Sequence, residues 1–145
     1  MSEITTSGLL SRLLKTQNIG RFVKQYEEEM NPPVFSEYIS NLCVAKNIKP
    51  SEAIRNADIE RVYGSQLFRG IRKPSRDKTI QLCFGLELTI EESQSLLKAA
   101  EKNALYPKIK RDAVVIYCLQ RQMRFYQAQD ILAELKLPVL GGGIT

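Results

Sequence analysis

Apolar side chains recur at helical spacing along nearly all of this 145-residue chain, a period that leaves almost no segment able to pair as a strand. Leu9, Leu10, Leu13 and Leu14 form one stripe, with Thr6 or Ser7 placed to cap its helix. Ile19, Phe22, Val23, Tyr26 and Met30 form a second, with Glu27, Glu28 and Glu29 on and around its solvent side. Asn31-Pro32-Pro33 then breaks the pattern, because consecutive prolines cannot continue a helix. Residues 1–31 therefore predict a separate helical hairpin. Three roles fit it: packing on the core, forming a dimer interface, or docking a protein partner.

The periodicity continues through short helices from residue 34 to about 103. Phe35, Tyr38, Ile39, Leu42 and Cys43 share one face, with Ser36 capping or the chain entering at Phe35. Pro50 suits a first helical turn, where its missing N–H costs nothing. Asp58 suits a left-handed turn, and Gly70 suits the residue after a helix spanning about 60–69. Ser75 is placed to cap a fourth helix with Thr79, Ile80, Leu82, Cys83 and Leu86 inward. Thr89-Ile90-Glu91-Glu92 reads as a capping box. Residues 104–140 predict a C-terminal helical hairpin with a polar break near 122–124. The run Ala113 to Leu119 is β-branched, but no second strand-like segment exists to pair with it, so a buried helix is expected. Residues 141–145 read as a frayed tail, and no internal repeat stands out.

Several functions are hard to build from these residues. The chain has no histidine, which removes the commonest general base and metal ligand. Cys43, Cys83 and Cys118 lie far apart in sequence and among apolar neighbours, so buried reduced thiols are expected rather than a zinc site or disulfide. Reduced thiols, no signal-peptide core and no apolar run near the length of about 20 residues that a span requires point to the cytoplasm, with no membrane partner. No P-loop, GxGxxG, nucleophile elbow or metal cluster is present; neither catalysis nor a cofactor is expected.

Charge is concentrated where the chain reads "ERVYGSQLFRGIRKPSRDK", residues 60–78: six basic side chains against Glu60 and Asp77. With a pI near 9.2, a polyanionic partner fits, as does a surface that is basic for solubility alone. A second basic spot, Lys108, Lys110 and Arg111 after Tyr106-Pro107, reads as a solvated helix start. Residues 35–97 resemble the Cro/lambda-repressor-type helix-turn-helix domain, the XRE family. The resemblance rests on Ala57-Asp58-Ile59-Glu60, the helix ending at Gly70, Arg72-Lys73-Pro74-Ser75, then Leu82-Cys83, Gly85-Leu86 and Leu88, with no indel across 48–89.

The resemblance implies an all-α fold: a lambda-repressor-like domain at 34–103 flanked by the two hairpins. It also implies a DNA-binding transcriptional regulator, usually a homodimer on two-fold double-stranded DNA, with the helix at about 60–69 in the major groove. Arg61, Val62, Ser65, Gln66 and Arg69 would then face bases, with Arg61 suited to guanine and Gln66 to adenine, while Leu67 and Phe68 anchor the helix. Ser75, Arg76 and the free N–H groups of the following helix would take a phosphate, with Arg72, Lys73 and Lys78 beside them. Some proteins of this type hold protein partners instead, as antitoxins or adaptor subunits. This sequence departs from the family pattern at Ile54 (usually Ala), Gly64 (usually Ile or Val) and Asp58 (usually Gly). A large residue on one helix filling space vacated on the next would link the first two.

Overall fold

The computed structural model describes residues 4–30 and 34–141, and every element among them is helical, with no strand. The chain divides into two compact units, Met1–Pro33 and Val34–Thr145. The Asn31-Pro32-Pro33 break lies outside the described residues.

In the first unit, α1 (Thr6–Lys15) starts at Thr5, whose Oγ1 accepts the Gly8 N–H at 3.0 Å. The cap thus falls one residue before the Thr6 or Ser7 expected. Asn18 caps α2 (Ile19–Gln25), and α3 (Glu27–Met30) follows directly. Phe22 and Tyr26 are buried with rings 4.8 Å apart, and Arg12 donates to the Tyr26 hydroxyl at 2.8 Å. The leucine stripe is left outside: Leu10, Leu13 and Leu14 are all exposed.

In the second unit, α4 (Phe35–Lys46) is entered at Phe35 without a side-chain cap. Pro50 opens α5 (Pro50–Asn56), and Glu60 caps α6 (Arg61–Phe68). The α5–α6 turn is tightly specified. Asp58 takes φ 56°, its N–H bonds the Arg55 carbonyl, and the Ile59 N–H bonds the Ile54 carbonyl, the paired closure that ends many helices. From α7 (Arg76–Gly85), buried Gln81 donates to the Ala57 and Asp58 carbonyls at 2.9 and 3.3 Å, pinning the turn from below. Where α5 crosses α7, a Cβ on Gly85 would stand 2.2 Å from the Ala53 carbonyl, so only glycine permits the approach. Ile54 also fills the space beside Gly64. A Cβ on Gly64 would meet three carbons of the Ile54 side chain at 2.5–2.9 Å.

The capping box at Thr89 starts α8 (Ile90–Ala99), and α9 (Lys110–Gln120) and α10 (Phe125–Glu134) follow, with Ala113 to Leu119 helical as expected. The last two helices share one hydrophobic cluster with α4–α8 through Val115, Cys118, Leu119, Phe125 and Leu132. Residues 104–140 are therefore not an appendage but part of the same core. Gly141, read from sequence as the first residue of the tail, is bonded into the fold. Leu140 is buried, and the Gly141 N–H donates to Asp77 at 2.9 Å, while 142–145 lie outside the described residues.

Residues 76–105 and 111–140 form an internal repeat, thirty-five positions apart, which corrects the reading that none exists. Gln94 exchanges two hydrogen bonds with the backbone of Leu105, and Gln129 exchanges the same two with Leu140. Glu87 and Gln122 both close their helices at φ 54°, and Glu101 and Lys136 do so at 58° and 59°. The two copies are cross-linked reciprocally. Arg76 of the first forks onto Asp112 of the second at 3.1 and 2.8 Å, while Arg111 of the second forks onto Asp77 of the first at 2.9 and 2.7 Å. Each arginine also bonds two carbonyls of its own copy's closing loop, Asn103 and Ala104 or Pro138 and Val139. Each aspartate takes one further N–H, from Tyr106 or Gly141. Such exchange is the signature of an isologous two-fold, here within one chain.

Desolvation pushes the Asp77 carboxyl upward, but the Arg111 fork, the Gly141 N–H and the charges of Arg111 and Arg76 outweigh it and hold the group below its usual value. Glu92 is likewise held low by Lys46 and the Thr89 N–H, and Glu60 by the N–H groups of Tyr63 and Val62. A depressed carboxylate contributes stability above its unfolded value that is lost as pH falls through its folded one. Urea midpoints are therefore expected to hold steady near neutrality and to fall once pH drops below the ordinary carboxylate values of 4.5 and 3.8. Asp77→Asn is expected to flatten the lower part of that profile, and a profile unchanged by the substitution would refute the assignment.

Candidate nucleic-acid interface

The site is built on α6, whose inward side is fixed by Leu67, fully buried, and by Gly64 against Ile54. Burying a leucine in this way stabilises by about 1.5–3 kcal/mol, enough to hold one face of a two-turn helix inward. Phe68 and Tyr63 pack on the same core from its edges. Arg61, Val62, Ser65, Gln66 and Arg69 are left as a continuous outward stripe, with Arg61, Val62 and Arg69 exposed and Ser65 and Gln66 half-buried. Gly70 closes the helix at φ 77° and releases the chain into the basic turn.

That turn is organised rather than loose. Gln66 accepts the Arg72 Nε–H at 3.0 Å, and its carbonyl takes the Ile71 N–H. The Arg72 guanidinium lies 5.0 Å from the Tyr63 ring centre, and Lys78 Nζ lies 5.8 Å from it. Tyr63 thus seats two cations over its ring faces, a role not anticipated from the sequence. Lys73 is exposed, and Ser75 caps α7 by accepting the Lys78 N–H at 3.1 Å.

Arg76 stands apart from the phosphate group proposed for it. Its guanidinium is turned to Asp112 and two loop carbonyls, where four of its five N–H donors are used within the fold. Asp77 is similarly consumed by Arg111, a residue read from sequence as a solvated helix start. With those two pairs internally neutralised, Arg61, Arg69, Arg72, Lys73 and Lys78 face outward with Glu60 as the acid within the segment.

The cysteines take no part. All three are buried and free, and burial raises each thiol, that of Cys83 to about 12. Among the described residues no helix is long and apolar enough to cross a membrane, and no cluster of ligating side chains could hold a metal. No family model, curated protein or solved structure matches the chain.

Proposed function

We propose that this chain is a sequence-specific DNA-binding regulator of the Cro/lambda-repressor type, with α6 entering the major groove and the chain acting as a homodimer on a two-fold site. The observation that carries the reading is the outward stripe of α6 running without interruption into a preset cationic turn. An α-helix fits the major groove, its outward side chains meet base edges, and adjacent cations fix the register on phosphates. The α5 turn, closed by its own backbone and pinned by Gln81, supplies the rigid mounting such a helix needs.

Roles follow from position. Arg61 and Arg69 mark the two ends of the base-facing stripe, with Val62 and Ser65 between them for apolar and hydroxyl contacts. Gln66 does two things, because its Oε1 orients Arg72 while its amide N–H remains available to a base. Arg72, Lys73 and Lys78, with the capped N-terminus of α7 at Ser75, serve the backbone phosphates. Arg76 is left out of that set and holds the fold instead.

Selection of bound fragments from genomic DNA at near-physiological salt tests the reading. A two-fold motif is expected for the parent and is expected to vanish with Arg61→Ala plus Gln66→Ala. Lys73→Ala is expected to weaken all sequences alike and to shallow the salt dependence by about 0.9 in log K against log salt. Enrichment without a motif, indifferent to these changes, would overturn sequence-specific binding. The exposed leucines of α1 favour one second reading, a protein-docking module of antitoxin or adaptor type. That reading predicts loss of function from Leu10 and Leu14 substitutions with Arg61 and Gln66 dispensable.

A further inference from the structure

We infer that the groove between α5, the C-terminal end of α7 and the α9–α10 turn binds a small organic cation with an apolar or aromatic body. The groove is open to solvent along one side and has a volume of about 640 Å³, within the range of small-molecule sites. Phe84, Leu119 and Phe125 line it as buried side chains, and the two phenyl rings meet edge to face at 5.9 Å, so an apolar body gains contact there.

Electrostatics selects the sign of the ligand. Three helices terminate at this groove, and the residue closing each in left-handed conformation, Asp58, Glu87 or Gln122, lines it. Each helix C-terminus carries roughly half a negative charge, against one N-terminus, that of α10. Asp58, Glu87 and Asp130 add carboxylates, and none of them is held in a salt bridge. Exposed Arg55 and Arg124 also line the groove and leave the balance negative. An ammonium group therefore belongs near the helix ends, with its hydrocarbon part on the phenyl rings. The inference stands whether or not α6 binds DNA.

Backbone amide NMR with a matched series of probes tests it: phenethylammonium, 2-phenylethanol and 3-phenylpropanoate. Phenethylammonium is expected to give saturable shifts confined to residues 55–58, 83–88 and 119–130, the alcohol weaker ones, and the carboxylate none. Asp58→Asn, Glu87→Gln and Asp130→Asn combined keep the backbone requirements, since Asn also tolerates the left-handed turn. They are expected to weaken the amine about tenfold. Equal binding of the carboxylate, absence of saturable shifts, or an amine affinity unmoved in the triple variant would each overturn the assignment.

Discussion

Ile54→Ala is expected to destabilise the second unit by about 2–5 kcal/mol, and Gly64→Ile by about 1–3 kcal/mol, yet the two together are expected to cost much less than their sum. Ile54 occupies the volume over Gly64, with three side-chain carbons within 2.9 Å of where a Cβ would stand. Removing the isoleucine alone leaves a hole between α5 and α6. Adding a side chain at Gly64 alone forces two branched groups into one space. The double exchange restores one large and one small residue at the crossing, and it also removes the cost of about 0.5–1 kcal/mol that glycine imposes inside α6. Urea unfolding of the four members of the cycle measures the coupling. Additive costs would show that the two positions do not share a volume. On the proposed DNA-binding reading, recovery of stability without recovery of DNA selection would show that the crossing sets the pose of α6 as well as its strength.

The second large effect concerns the charges joining the two copies of the repeat. Asp112→Ala is expected to cost about 3–5 kcal/mol, because it leaves the Arg76 guanidinium without its counter-charge and the Tyr106 N–H without an acceptor. Asp112 is 1% exposed, so water cannot readily replace the carboxylate. Asp77→Ala is expected to cost less, since the Asp77 side chain is 12% exposed against 2% for that of Asp112. Arg76→Ala made together with Asp112→Ala is expected to be milder than Asp112→Ala alone, as removing both partners strands no charge. A loss under about 1 kcal/mol for Asp112→Ala, the range of a surface pair, would mean that the network is solvated and does not join the halves.

The helices were legible because their signals are local. Pro50, Gly70, Ser75 and the Thr89–Glu92 box each act within one turn of where they stand, and the structure uses each as read. The α1 cap was missed by one residue because Thr5, Thr6 and Ser7 offer three adjacent hydroxyls and nothing local ranks them. Arg76 was misassigned for the opposite reason: beside Ser75 at a helix start it has every local mark of a phosphate ligand, and its partner is thirty-six residues away. The repeat is hard to read in the sequence because little of it survives as shared side chains. Arg, Asp, Cys and Gln recur at 76, 77, 83 and 94 and again at 111, 112, 118 and 129, but most intervening positions differ. What the two copies share is a set of hydrogen bonds, and a search for similar letters does not see bonds.

The reciprocal cross-link also fixes an order of events on the ribosome. Synthesis releases α7 and α8 before the charged partners of Arg76 and Asp77, which are Asp112 and Arg111 on α9. The last N–H that Asp77 accepts belongs to Gly141. A nascent chain can therefore form the helices that carry its cationic stripe well before it can lock them. Until the second copy emerges, Arg76 has only the Asn103 and Ala104 carbonyls of its own copy to bond, and its counter-charge arrives with Asp112.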